Sequence, residues 1–122
     1  WERMHRLEAA GIVRGYGARI ALELFAEHVT VFVTAELENH RSEDFGRFED
    51  VVGQEPEIIG CWALGGGLDY LFQVVTSNVT TYQRLIDRLL ESEAGLKRYY
   101  SYIFTKEVKA GGAIPVELFT GG

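Results

Sequence analysis

The chain of 122 residues is long enough for one domain, and with 47% apolar residues it can fill a core, which excludes wholesale disorder. Its net charge of −6 argues against the whole segment lying on nucleic acid, and no apolar run approaches the ~20 residues needed to cross a bilayer. A single cysteine, Cys61, cannot form an internal disulfide and fits a reducing, cytoplasmic setting.

The opening "WERMHRLEAAG" is charged and helical in character rather than a signal peptide, and a first residue of Trp hints at a longer parent chain. Met4 and Leu7 fall one turn apart, and Gly11 ends the helix. Four arginines against two glutamates give residues 1–20 a charge of +2, so the remainder carries −8. A slightly basic leader thus precedes an acidic body. "IVRGYGARI" reads as a short irregular strand, and residues 21–28 as a linker.

"VTVFVTAEL" (29–37) is a strand with β-branched and aromatic residues on both parities, so both of its faces look buried. Ser42 is placed to cap a helix whose stripe is Phe45, Phe48 and Val52, ended by Gly53 and Pro56. "EIIGCWAL" (57–64) and "LDYLFQVVT" (68–76) are strands joined by three glycines, an antiparallel hairpin. Asn78 caps a second helix with the stripe Val79, Tyr82, Leu85, Ile86 and Leu89, closed by Gly95. Residues 97–108 form the fourth strand, with Tyr100, Tyr102 and Phe104 on one parity, and a Gly-rich tail follows. Strand–helix–strand occurs twice. The expected fold is therefore α+β, ferredoxin-like βαββαβ: one four-stranded antiparallel sheet with both helices on one face. The first and third strands are apolar on both parities, so the uncovered face is expected to be sealed by a second copy in a symmetric homodimer.

Little in the chain suggests catalysis. His5, His28 and His40 are scattered without metal-ligand spacing, and Cys61 sits in a strand with no base near it, so neither a metal nor a nucleophile is expected. Glu43–Asp44 and Glu49–Asp50 read as the solvated face of the first helix, with Glu43 and Asp44 suiting its N-terminus. Tyr99, Tyr100 and Tyr102 read as packing residues. "LGGGLDY" is different. A tight turn accounts for one or two glycines, but not for three followed by an acid. Bare backbone N–H groups bind carboxylates, and Asp69 can pair with an ammonium group. A plain turn and a cradle for a free amino acid both remain open on these residues.

"RMHRLEAAGIVRGY" (3–16), followed by Gly66, Asp69 and Tyr70 in a Gly-x-x-Asp-Tyr arrangement, and then "FTKEVK" (104–109) and "AIPV" (113–116), resembles the leucine-responsive/AsnC type of transcription regulator over nearly the whole chain. The resemblance implies the following organisation. Residues 1–20 are the end of a DNA-recognition helix and its wing, 29–109 an effector-binding and oligomerisation domain, and 110–122 a tail. An amino-acid effector would bind at Leu64, Gly65, Gly66, Gly67, Leu68, Asp69 and Tyr70, where dimers meet. DNA would be contacted only through a mostly absent helix-turn-helix, of which Arg3, His5 and Arg6 survive. Homodimers would assemble further, often as a tetramer of dimers, without a cofactor, a metal, a catalytic residue or a membrane. Gly67 and Leu68 depart from the polar and aromatic residues usual there, giving a roomier and less polar loop. The alternative is a small dimeric α+β barrel enzyme of the cofactor-free monooxygenase kind, using the tyrosines and Trp62 to line a cavity.

Overall fold

A computed structural model describes residues 28–120 of the chain. The helix stub, wing and most of the linker expected over residues 1–27 lie outside the described residues. In chain order the elements are β1 (Val29–Leu37), α1 (Ser42–Gly53), β2 (Ile58–Ala63), β3 (Tyr70–Thr76), α2 (Val79–Glu91), β4 (Leu96–Ile103) and a final helical turn, α3 (Glu117–Thr120). The strands lie in the order β2-β3-β1-β4, every neighbouring pair antiparallel, which is the ferredoxin-like arrangement expected.

The alternation of side chains along a strand divides the sheet into two unlike faces. Val31, Val33, Ala35 and Leu37 of β1 point into the helix layer with Tyr70, Phe72 and Val74 of β3, and all are buried. Phe48 and Val52 of α1 and Tyr82, Leu85, Ile86 and Leu89 of α2 close over them. Phe48 stacks on Tyr70 with ring centroids 4.4 Å apart and meets Phe72 at 6.3 Å. Among the described residues, the opposite parity, with Phe32, Leu71, Val75, Trp62, Tyr100 and Tyr102, carries no helix. Trp62, Tyr100 and Tyr102 are 48–56% exposed there, so large apolar surface remains uncovered in the single chain. A bulge at β2 sets Ile58 opposite Val74 but Gly60 opposite Gln73. Gly60 then shares the open face with Trp62, whose indole lies so close that a Cβ on Gly60 would meet it at 2.6 Å.

Element ends differ from the sequence expectation in ways the hydrogen bonds explain. Arg41, not Ser42, is the N-cap of α1, because Asp44 reaches back to accept from the Arg41 backbone N–H at 3.0 Å. Asp44 is consequently buried rather than solvated, with Arg47 paired to its other oxygen. Gly53 is the last residue of α1 but takes no left-handed turn; the cap is Gln54 in right-handed geometry. Asn78 caps α2 as expected, accepting from Thr81 N–H at 2.8 Å. Val79 does not join the buried stripe and is exposed, since it sits at the first turn beyond the reach of the sheet. α2 ends at Glu91, four residues before Gly95; Ser92 caps it by donating to the Leu89 carbonyl at 2.7 Å. Gly95, at φ +72°, instead turns the chain into β4, and its carbonyl accepts from Glu38 N–H at 2.8 Å. β4 stops at Ile103 rather than 108, although Phe104 still donates its N–H to Thr30 and its ring lies 6.3 Å from Phe32.

Phe48 is fully buried between both layers, so Phe48→Ala is expected to lower unfolding free energy by about 3–5 kcal/mol. Urea denaturation reads this directly; a loss under about 1 kcal/mol would be incompatible with this core.

Candidate functional site

The β2–β3 hairpin carries the loop singled out by sequence. It is closed at its base by Leu64 N–H donating to the Asp69 carbonyl at 2.9 Å, and tied to the neighbouring strand by Asp69 N–H donating to Ala35 at 3.0 Å. The β1–β3 ladder ends at the Ala35–Tyr70 pair, which leaves Leu37 N–H beyond it without a strand partner on that side. The Asp69 carboxylate supplies one: Oδ2 accepts from Leu37 N–H at 2.8 Å. The same oxygen lies 2.9 Å from Nε2 of His40, and a carboxylate only accepts, so the imidazole donates. Asp69 is thus held in place from two directions while 18% of its side chain stays open to solvent. Both bonds fall on Oδ2, which leaves Oδ1 as the oxygen available to a further donor.

The three glycines divide by role. Gly66 has φ +126°, a backbone conformation that side chains rarely adopt, so the turn itself demands a glycine there. Gly65 and Gly67 have no such requirement, and a Cβ on either would meet nothing within 4 Å. Their effect is to leave bare, exposed backbone beside Asp69. Leu64 through Gly67 are exposed, Leu68 and Asp69 half-buried, and Tyr70 buried. Tyr70 is therefore set beneath the loop rather than on its rim. It is wedged between Phe48 and Phe45, and its hydroxyl donates to Glu49 of α1. Burial, that hydrogen bond and the Glu49 charge all hold its proton more tightly than usual.

Two partners of this loop were not legible in the sequence. His40 lies 29 residues from Asp69, and Glu49 lies 21 from Tyr70, so no local spacing announces either pair. His40 also sits against Phe45, with centroids 5.9 Å apart, which links the loop to the first turn of α1. Glu49, expected on a solvated helix face, is exposed but engaged. Cys61 points into the helix layer opposite Phe72, half-buried, and its pKa is pushed from 9.0 to about 11 by burial and by Glu49. Arg3, His5 and Arg6 lie outside the described residues. Among the described residues no cluster of His, Cys, Asp and Glu could hold a metal ion, and no helix is long and apolar enough to cross a membrane.

Comparison with known proteins places this geometry. The model of the Lrp/AsnC ligand binding domain matches residues 30–114. The transcriptional regulatory protein DoeX of Halomonas elongata is 47% identical over 113 residues, which span 93% of this chain and 72% of that protein. The DNA-binding transcriptional activator DecR of Escherichia coli is 33% identical over 117 residues, spanning 96% and 77%. Among solved structures, a Neisseria meningitidis transcriptional regulator in complex with L-Met superposes with a TM-score of 0.68 at 26% identity, covering 97% of this chain and 76% of the other. A feast-or-famine regulatory protein of M. tuberculosis complexed with L-methionine gives 0.62 at 25%, covering 93% and 75%.

Because only the thiolate reacts, the raised Cys61 pKa has a direct kinetic consequence. At pH 8 alkylation by iodoacetamide is expected to run on the order of 100-fold slower than for an unperturbed thiol, with the rate still climbing toward pH 11. The stability sign follows: the native state keeps a proton that the unfolded chain loses, so stability present below pH 9 is lost as pH rises through about 11. A rate that levels off by pH 9 would remove this assignment.

Proposed function

Since the chain belongs to the Lrp/AsnC family of transcription regulators, we propose that this part of it senses a free α-amino acid and passes the signal on through assembly. Family membership makes it a transcription regulator with a ligand-binding domain; the ligand, the site and the assembly are proposed. Residues 1–20 would be the end of the DNA-recognition helix and its wing, with Arg3, His5 and Arg6 as its DNA contacts, 21–28 a linker, 29–109 the sensing unit and 110–122 a tail.

The observation that carries the ligand reading is the pairing of open Gly65–Gly67 backbone with an immobilised carboxylate beside it. Exposed N–H groups take a carboxylate, and Asp69 takes an ammonium through Oδ1. Those are the two charged ends of an amino acid at neutral pH. The two structural neighbours solved with methionine support an amino acid as the ligand class. Leu64 and Leu68 give the side-chain end an apolar flank, and Tyr70 stiffens the loop from below. The matched relatives are regulators, which favours sensing over the small α+β barrel enzyme.

The open sheet face supports dimerisation. Trp62, Tyr100 and Tyr102, each about half exposed on one surface with Phe32, Leu71 and Val75, form the kind of contiguous apolar patch that a monomer does not leave in water. A second copy applying the same face would bury both patches about a two-fold axis. Further assembly of dimers would then bring hairpin loops together.

Both claims are testable separately. Calorimetry across a panel of amino acids is expected to find at least one ligand, and Asp69→Asn is expected to weaken it tenfold or more, since the amide still accepts from Leu37 N–H but carries no charge. No binding to the wild type in any assembly state would remove the ligand claim. Light scattering at micromolar concentration is expected to give at least a dimer mass, and Tyr102→Glu to lower it; a monomeric wild type contradicts the dimer.

A further inference from the structure

We propose that the cleft between α1 and the β2–β3 hairpin is a second, separate binding site, built for a small organic cation: a primary ammonium on a short aliphatic stem. The cleft measures about 350 Å3 and is lined by Glu49, Val52, Gly53, Cys61, Ala63 and Tyr70. It lies on the helix side of the hairpin, whereas the effector loop is the hairpin's tip.

The polar groups of this cleft are acceptors. Glu49 offers a carboxylate. The Tyr70 hydroxyl has spent its proton on Glu49, so it presents lone pairs to anything else that enters. Val52 and Gly53 belong to the last turn of α1, where the helix dipole is negative, and that turn holds no basic residue to offset it. Nearby cations are engaged elsewhere: Arg47 pairs with Asp44, and Arg88 with Glu55 and Glu57. Among the described residues Glu49 therefore faces the cleft with a neutral phenol as its hydrogen-bond partner. The remaining lining, Val52, Ala63 and the uncharged Cys61 thiol, is apolar and suits a hydrocarbon stem. A ligand bearing a carboxylate would be repelled by Glu49 and by the helix end, so an α-amino acid is poorly matched here. The charge of the occupant is thus opposite to that of the cleft, and its apolar part matches the floor.

The test uses NMR titration of the protein at neutral pH with n-butylamine, and with butanol and butyrate as the neutral and anionic counterparts. The amine is expected to shift the amides of Glu49, Gly53, Cys61, Ala63 and Tyr70 saturably, with butanol at least tenfold weaker and butyrate without effect. Glu49→Gln keeps an oxygen for the Tyr70 hydroxyl but removes the charge, and is expected to weaken the amine tenfold or more. Absence of a saturable response, equal response to butanol, an unchanged Glu49→Gln variant, or shifts confined to Gly65–Gly67 would each overturn the proposal. Asp69 of the loop is also an ammonium acceptor, so Glu49→Gln, which leaves that loop intact, distinguishes binding in the cleft from binding at the tip.

Discussion

Two central strands that are apolar on both sides set the terms for the rest of the molecule. β1 and β3 pair over seven residues, Val29–Ala35 with Tyr70–Thr76. One parity is sealed by α1 and α2, and its side chains are fully buried. A βαββαβ chain has only two helices, and both crossovers place them on the same side. Among the described residues no helix covers the other parity. That parity mixes Thr34 and Gln73 with large apolar side chains: Phe32, Leu71 and Val75 lie along its middle, with Trp62 on one flank and Tyr100 and Tyr102 on the other. Gly60 belongs to this same logic, because its missing Cβ lets the Trp62 indole lie flat on β2 instead of standing away from the sheet.

The hairpin loop depends on the end of that central pair. A strand's last N–H groups need partners when its ladder stops, and Asp69 provides one across the loop. This gives the carboxylate a structural task as well as a chemical one. A side chain tied by Leu37 N–H and His40 has lost its rotamer freedom before any ligand arrives, so a donor meeting Oδ1 orders nothing further. The glycines beside it act differently: Gly66 is required by the turn, and Gly65 and Gly67 leave the backbone open. In "LGGGLDY" the turn accounts for Gly66 alone, and the open backbone at Gly65 and Gly67 is what the proposed cradle would use.

Much of this was legible because the strong signals are periodic. Alternation in "VTVFVTAEL" and the i, i+3, i+7 spacing of Phe45, Phe48 and Val52 are local, so the elements and their buried faces could be read directly. The two-sided apolarity of β1 and β3 was likewise a property of the string itself. Errors fell where a short-range cue competed with a longer-range partner. Ser42 looks like a cap, but Asp44 holds the Arg41 N–H and shifts the boundary by one residue. Gly95 looks like a helix end, but Ser92 ends α2 first and Gly95 serves the following turn. His40–Asp69 and Glu49–Tyr70 could not be read at all, since each joins segments 29 and 21 residues apart that only the β-sheet brings together.

Those two unread pairs lie on either side of adjacent residues, Asp69 and Tyr70. Asp69 points to the end of β1 and the start of α1, while Tyr70 points into the core and delivers its hydroxyl to the middle of α1. The hairpin is thereby attached at two adjacent residues, through Asp69 to β1 and the β1–α1 connection and through Tyr70 to α1. A change in the loop that turned the Asp69–Tyr70 backbone would strain both attachments together, because close-packed rings on either side of Tyr70 leave it no independent motion. The acceptors in the α1 cleft and the exposed backbone at the glycine tip are thus joined through the same two residues, a link that the two proposed sites would share. Coupling between such sites requires a two-state element that both ligands bias, and the Asp69–Tyr70 pair, which ties the β2–β3 hairpin to the β1–α1 connection and to α1, is the place in this fold where one change of state would reach both.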